Sequence, residues 1–330
     1  MRFRLSAGLS LAVLASLGAA TRPHYGGTLR VEVREAVDSA DPPQTGPGMA
    51  DLNGAFTITR WEAGRRAVFQ AEENAPGGRP FVDSVDVQMG APLRERVIDL
   101  GRADIVEFAP GELRQAPTNQ RMWSSSPVKL TALVFGPRVE DARVREALAL
   151  SVDRGAIHRV LLQGQGEIAG GLLPQWISGY AFLFPTSTDM ARARSLVASA
   201  PPSARTLTLA ADDRAMADRI AVNAHDAGLT VTVVAGNADV RLVRARILSS
   251  DGATALAGLA ATLGLPEPAR ADSPEALYTA ERALLDGFHV IPLAHTPDLY
   301  AVGPRVHGAS GITPLGEWRF EHVWIEERGR

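Results

Sequence analysis

The 330-residue chain carries 37 acidic and 34 basic residues, a formal net charge of −3, and no cysteine. With 45% hydrophobic and 22% charged residues, it is neither a disordered chain nor a disulfide-stapled mini-protein, and it lacks the basic surplus that neutralises nucleic-acid phosphates. Zero cysteine removes thiolate metal sites, cysteine catalysis and a lipid-bearing cysteine anchor, and a single lysine, Lys129, against 33 arginines removes most lysine chemistry.

Met1–Arg4 is basic, Leu5–Gly18 is apolar and uncharged, and Gly18-Ala19-Ala20 supplies small residues. This is the three-part build of a secretory leader, expected to be cleaved near Ala20 and to leave the mature chain periplasmic or secreted. The alternative is an uncleaved anchor, although about 14 apolar residues fall short of the ~20 that span a bilayer. What remains is about two domains long. Thr28–Val33 alternates as a half-buried strand, and 41–48 is a loop rich in proline and glycine. Ala55–Trp61 and Ala67–Gln70 pair as a hairpin, Val82–Val87 alternates again, and Leu93–Leu100 is a short helix before a strand at Ala103–Phe108. Leu130–Phe135 reads as a buried strand. A helical pair follows, with Val144, Ala147 and Leu148 on one stripe and Asp153 capping the second member, in which Ile157, Val160 and Leu161 are expected to face inward.

Asp189 precedes a helix through Val197. Thr206–Leu209, the stripe Met216, Ile220 and Ala224, and Leu229–Val234 form a strand–helix–strand unit, right-handed by rule. Asp239–Val243 is a strand. Ser273-Pro274 opens another helix that Gly287 ends, and Val290–Leu293 and Leu299–Val302 are strands.

Gly164-Gln165-Gly166-Glu167-Ile168-Ala169 matches a dinucleotide-binding string, but it follows a helix and opens none, so it reads as a turn. The histidines are scattered; His289 and His295 read as surface or core residues rather than metal ligands. Asp212-Asp213 and Glu72-Glu73 read as solvated faces rather than catalytic pairs. Trp176 and Tyr180 sit in a loop, where they either line a ligand cleft or anchor the loop. Trp318 and Trp324 are expected to pin the terminal strand. No catalytic residue, metal ligand or cofactor emerges.

The ordered series of segments is more specific than any single motif. Tyr25-Gly26-Gly27-Thr28-Leu29-Arg30-Val31, then Gly54 through Arg65 with Trp61, Gly77-Gly78-Arg79-Pro80-Phe81-Val82-Asp83, Leu100-Gly101-Arg102-Ala103-Asp104-Ile105, and Asp141 through Asp153-Arg154 and Ile157 resemble, in order, the bacterial extracellular solute-binding proteins of family 5. That is the oligopeptide, dipeptide and nickel-binding group of ABC-type importers. The resemblance implies an α/β, two-lobed, periplasmic-binding-protein-like (type II) fold of mixed sheets with flanking helices and a hinged cleft. It implies one lobe from 21–135 plus 290–330, a second from 136–289, and a first lobe reduced by missing sequence between Pro43 and Asn53. It also implies a monomer that captures a peptide-like or other small solute and hands it to ABC permease subunits, with no nucleic-acid partner and no reaction catalysed. The alternative is a degenerate binding-protein fold kept as a periplasmic interaction module. An acid that holds the ligand's amino group in peptide-binding members falls here on Leu248, with Asp251 the nearest substitute. The candidate ligand-binding residues are Asp41, Trp176, Tyr180, Arg244, Arg246 and Asp251. Arg244 and Arg246 are candidates to hold a ligand carboxylate, or else form a solvated strand edge.

Overall fold

The alternating segment near the amino terminus forms β1 (Thr28–Val33), with Leu29, Val31 and Val33 buried, in a computed structural model that describes residues 23–37, 52, 54–99, 102–116, 120–180 and 184–326. The leader and Asp41 lie outside the described residues. In chain order follow the hairpin β2 (Phe56–Glu62) and β3 (Arg66–Ala71), then β4 (Ser84–Met89), α1 (Leu93–Asp99), β5 (Ile105–Phe108), a 3-10 turn at Pro110–Gln115, β6 (Arg121–Ser124) and β7 (Lys129–Phe135). The middle supplies α2 (Ala142–Ser151), α3 (Arg154–Ala156) running into a π-turn at Ile157–Leu161, β8 (Glu167–Ile168), α4 (Gln175–Ser178) and α5 (Met190–Ser199). Then come β9 (Thr206–Ala210), α6 (Arg214–Asp226), β10 (Thr230–Val234), β11 (Val240–Arg246), α7 (Gly252–Leu263) and α8 (Pro274–Leu285). β12 (Val290–Thr296), β13 (Leu299–Val302), β14 (Val306–His307) and β15 (Trp324–Ile325) close the chain.

Two mixed sheets result, in the orders β2-β3-β4-β1-β5-β13-β6 and β10-β9-β11-β7-β12-β8. In the first, β1 is parallel to β4 and β5 while β13 is antiparallel to β5 and β6. In the second, β9 and β10 are parallel on either side of the α6 connection, the unit read from the sequence. This is a two-lobed α/β fold. Helices cover both faces of the second sheet. Leu133, Leu209 and Ile291 pack on Val144, Ala193 and Ile220 of α2, α5 and α6. On the other face, Leu130, Ala132 and Ala245 pack on Leu256, Leu259 and Leu277 of α7 and α8. A strand buried on both faces needs an unbroken apolar run rather than alternation, and β7 has one from Ala132 to Phe135 and β12 from Val290 to Ala294. The first sheet buries Leu29, Val31, Phe69 and Val87 against Trp318, Phe320 and Ile325 of the tail. Trp318 stacks on Phe320 at 5.0 Å and donates its Nε1–H to the Tyr300 hydroxyl at 3.2 Å. Burying each such ring contributes about 1.5–3 kcal/mol, so the tail is pinned as Trp318 and Trp324 foretold.

The division between lobes differs from the one at 135/136 and 289/290. β7 pairs with β11 from Val240–Phe135 to Arg246–Lys129, and with β12 from Val290–Val134 to Thr296–Lys129. Both strands therefore belong to the second sheet, and the chain crosses between the sheets at 125–128 and at 297–298. The two crossings are tied together: Ser125 N donates to Asp298 O at 3.1 Å, Asp298 N to Ser125 Oγ at 2.8 Å, and Val128 N to Thr296 O at 3.0 Å. On either side the same two stretches are neighbours again, β6 beside β13 and β7 beside β12. One two-stranded ribbon thus runs through both sheets.

The Gly164-Gln165-Gly166 string is a turn. Gly166 has φ +77°, and a Cβ there would collide with the His295 carbonyl. Close backbone approach, not phosphate, is what requires the glycine.

Candidate functional site

A cleft of about 1140 Å³, open to solvent, lies between the lobes. The first lobe supplies Arg34, just past β1, and Phe108–Glu112, where β5 runs into its 3-10 turn. The second lobe supplies Leu161, Leu162, Asp213, Met216 and Arg244. The ribbon supplies the floor: Lys129, Thr131, Thr296 and Pro297.

Each wall carries an ion pair. Arg34 Nε lies 3.3 Å from Glu112 Oε2, and the same carboxylate accepts from Arg96 Nη2 at 3.0 Å and from Ala109 N at 2.7 Å. Opposite, Arg244 Nη2 donates to Asp213 Oδ2 at 2.8 Å, while Asp213 Oδ1 caps α6 by accepting from Met216 N at 3.0 Å. In the floor, Lys129 Nζ sits 2.6 Å from Asp298 Oδ1 and 3.5 Å from Glu107 Oε1. Arg246 grips Asp298 with two hydrogen bonds, at 3.2 and 2.7 Å, and donates to Leu315 O at 2.7 Å. Burial opposes the Lys129 charge, but Asp298 and Glu107 outweigh it and hold the ammonium's pKa above its ordinary value. Burial likewise opposes the Asp298 carboxylate, and Lys129 and Arg246 outweigh that and hold its pKa below the ordinary range. The floor is charged yet internally neutralised. The Arg244–Asp213 pair is different: Arg244 is exposed and Asp213 half-buried, and pairs open to water contribute little, so an incoming carboxylate takes Arg244 at small cost.

The lobes touch at one edge of the cleft. Gln163 Nε2 donates to Gly111 O at 2.6 Å, and Arg114 N donates to Gln163 Oε1 at 3.0 Å. A Cβ on Gly111 would stand 2.5 Å from Leu161 O, so glycine permits this approach. Gln163 holds its side chain there from a left-handed backbone, φ +54°.

Of the five sequence candidates among the described residues, only Arg244 lines this cleft. Arg246 belongs to the floor's ion cluster beneath it. Trp176 donates its Nε1–H to Pro127 O at 2.9 Å and so braces the crossing. Tyr180 donates its hydroxyl to Glu281 Oε2, and Glu281 Oε1 accepts from Leu172 N and, at 3.0 Å, from Leu173 N. Asp251 caps α7, accepting from Thr254 N at 2.9 Å and Thr254 Oγ1 at 2.6 Å. These bonds hold its carboxyl below the usual range. Asp41 lies outside the described residues. Arg34, Phe108, Glu112, Lys129, Asp213 and Gln163 were not picked out. Lys129 alone had a signal, being the one lysine in an arginine-rich chain. Asp213, read as a solvated face, is half-buried as a helix cap and ion-pair partner. Among the described residues, no group of three or more histidine or acidic side chains is placed to hold a metal ion, and no helix is long and apolar enough to cross a membrane.

Comparison with known proteins bears on this geometry. The sequence profile of the bacterial extracellular solute-binding proteins, family 5 Middle, matches residues 3–262. Among solved structures, a dipeptide-binding protein of a Pseudoalteromonas species in complex with Met-Leu superposes with a TM-score of 0.70 at 14% identity, over 83% of this chain and 64% of that one. NikA of Staphylococcus aureus in complex with Ni(L-His)2 gives 0.68 at 16% identity, over 82% and 68%. The oligopeptide-binding protein AppA of Bacillus subtilis in complex with a nonapeptide gives 0.65 at 14% identity, over 83% and 66%. The chain thus spans about two thirds of the length of these structures. No match among curated proteins was found.

Proposed function

The chain belongs to the bacterial extracellular solute-binding proteins of family 5, and from that premise we propose that it is the extracytoplasmic binding component of an ABC-type importer. It captures a small zwitterionic solute, a short peptide or peptide-like compound, by closing its lobes about the ribbon. It delivers the solute to permease subunits without making or breaking a bond. The observation that carries this reading is the solvent-open cleft lined from both lobes and floored by the ribbon that joins them. Arg244 offers the ligand carboxylate a guanidinium, and exposed Glu35 on the opposite wall offers its ammonium an acceptor.

Isothermal titration of the chain with a panel of di- and tripeptides is the test. We expect at least one to bind, with affinity at least about tenfold weaker in Arg244→Ala, the usual scale for removing a charge-assisted contact. Peptides that bind the variant and the wild type alike would remove Arg244 from the site. A second reading is favoured by the floor, whose Lys129 and Arg246 charges are already taken by Asp298: the fold is kept as a periplasmic interaction module without a transported ligand. Failure of peptides, sugars and nickel–histidine complexes to bind would favour that reading.

A further inference from the structure

Away from the cleft, on the side of the second lobe where α2 and α8 meet β12, lies a cavity of about 1480 Å³ including its open mouth. Part of its wall is apolar and aromatic, formed by Leu150, Tyr278, Leu285, Phe288 and Ile291, and the rest is polar or charged. Arg154 also lines it, at 5% exposure. The Arg154 guanidinium donates from Nε to Pro292 O at 2.8 Å and from Nη1 to Ala149 O at 3.2 Å. Neither acceptor is charged, and among the described residues Nη2 meets no acceptor and no carboxylate stands within ion-pair distance. Other charges at the cavity have partners or lie at its mouth: Glu146 pairs with Arg192 at 2.5 Å, Asp189 caps α5 through Arg192 N at 2.9 Å, and Asp286 and Arg282 are exposed. A buried cation without a counter-ion is costly, and burial pushes the Arg154 guanidinium down to about 10. The missing charge is an anion, and the walls call for one with an apolar body.

We propose that this cavity is a second binding site, independent of the cleft, for a small monocarboxylate with an aromatic or branched apolar body, its carboxylate on Arg154. The carboxylate accepts from the free Nη2 and neutralises the guanidinium, while the body covers Tyr278, Phe288 and Leu285. A planar carboxylate suits a guanidinium better than a spherical ion does, because it accepts in the plane of the donors.

Titration of the intact chain with phenylacetate and its neutral analogue phenylacetamide tests the site. The acid is expected to bind at least about tenfold more tightly than the amide, a difference that tracks one charge-assisted contact. Leu285→Trp, which fills the cavity from α8, is expected to abolish binding while its circular dichroism stays native. Arg154→Gln is expected to erase the preference for the acid. If that variant fails to fold, the acid–amide comparison and Leu285→Trp still decide. Arg244→Ala is expected to leave phenylacetate binding intact. No binding at millimolar phenylacetate, equal binding of acid and amide, persistence in folded Leu285→Trp, displacement by chloride alone, or loss in Arg244→Ala would each overturn the proposal.

Discussion

Glu281 has no exposed surface, and its carboxylate faces two backbone amides and the Tyr180 hydroxyl. Burial raises its pKa to about 7, against the opposing pull of the Leu173 and Leu172 amides. The folded chain therefore keeps a proton that the unfolded chain has released above the ordinary carboxylate pKa. Linkage fixes the sign: this stability is full below about pH 4 and is lost as pH rises through 7, by an amount on the order of 3 kcal/mol. Glu281→Gln mimics the protonated acid. It is expected to flatten the fall in melting temperature expected of the wild type between pH 5 and 8 (roughly the window set by those two pKa values). An unchanged slope in the variant would mean that other groups set it. The same residue explains Tyr180: of the two readings open from sequence, its hydroxyl bond to Glu281 is the loop anchor. Arg244 was open from sequence between a carboxylate-holding residue and a solvated strand edge; it lines the cleft and is bonded to Asp213. Asp213 was not legible, because an acid before a helix looks the same whether it caps, pairs or is merely solvated.

Helix starts were the most legible elements. Asp189 and Ser273-Pro274 stand where capping chemistry demands, and both accept from the third residue of their helix. Strand alternation placed β1, β2, β3 and β4 to within a few residues. α7 was not picked out: its sequence Gly252–Leu263 has no charged residue and is built mostly of alanine, leucine and glycine, so no polar face marks the period even though Leu256, Leu259 and Leu263 are buried. Asp251 was a ligand candidate as the nearest acid to Leu248, the position where the family resemblance places an acid for the ligand's amino group. Its lone carboxylate before an unread helix has the look of a free acid, and the helix uses it as its cap. Asp251→Ala is expected to lower the melting temperature and leave peptide affinity in the cleft unchanged. A variant with wild-type stability and weakened affinity would return Asp251 to the binding site. The helix pair α2–α3 was read from the stripe Val144, Ala147 and Leu148 and from Asp153 as a cap, and it also carries two buried arginines. Arg145 donates to Val139 O, Glu140 O and Gly287 O, and Arg154 ties Ala149 O to Pro292 O. Each guanidinium ties together backbone carbonyls of separate segments.

At the scale of the whole molecule, two lobes and their order along the chain were legible, and the line between them was not. Hydrophobic runs identify a strand but not the sheet it joins. Lys129–Phe135 and Val290–Thr296 are apolar enough for either lobe, and only their pairing with β11 assigns them. The Gln163 bridge to Gly111 and Arg114 is the described contact that ties the two walls of the cleft at its edge. Each such hydrogen bond contributes about 0.5–1.5 kcal/mol. Gln163→Ala is therefore expected to shift the unliganded chain severalfold toward an open arrangement and to raise the radius of gyration measured by small-angle X-ray scattering. An identical scattering curve would mean that other contacts hold the lobes.

The only lysine in the chain sits in the ribbon that joins the lobes. To a protease that cuts after lysine, the molecule therefore presents one scissile bond, Lys129–Leu130. Both flanking residues are laddered between β11 and β12, so cleavage requires the ribbon to leave the sheet. The pace at which the chain divides into 1–129 and 130–330 then counts local openings at the joint itself. Composition has left the protein with a clock at its own hinge.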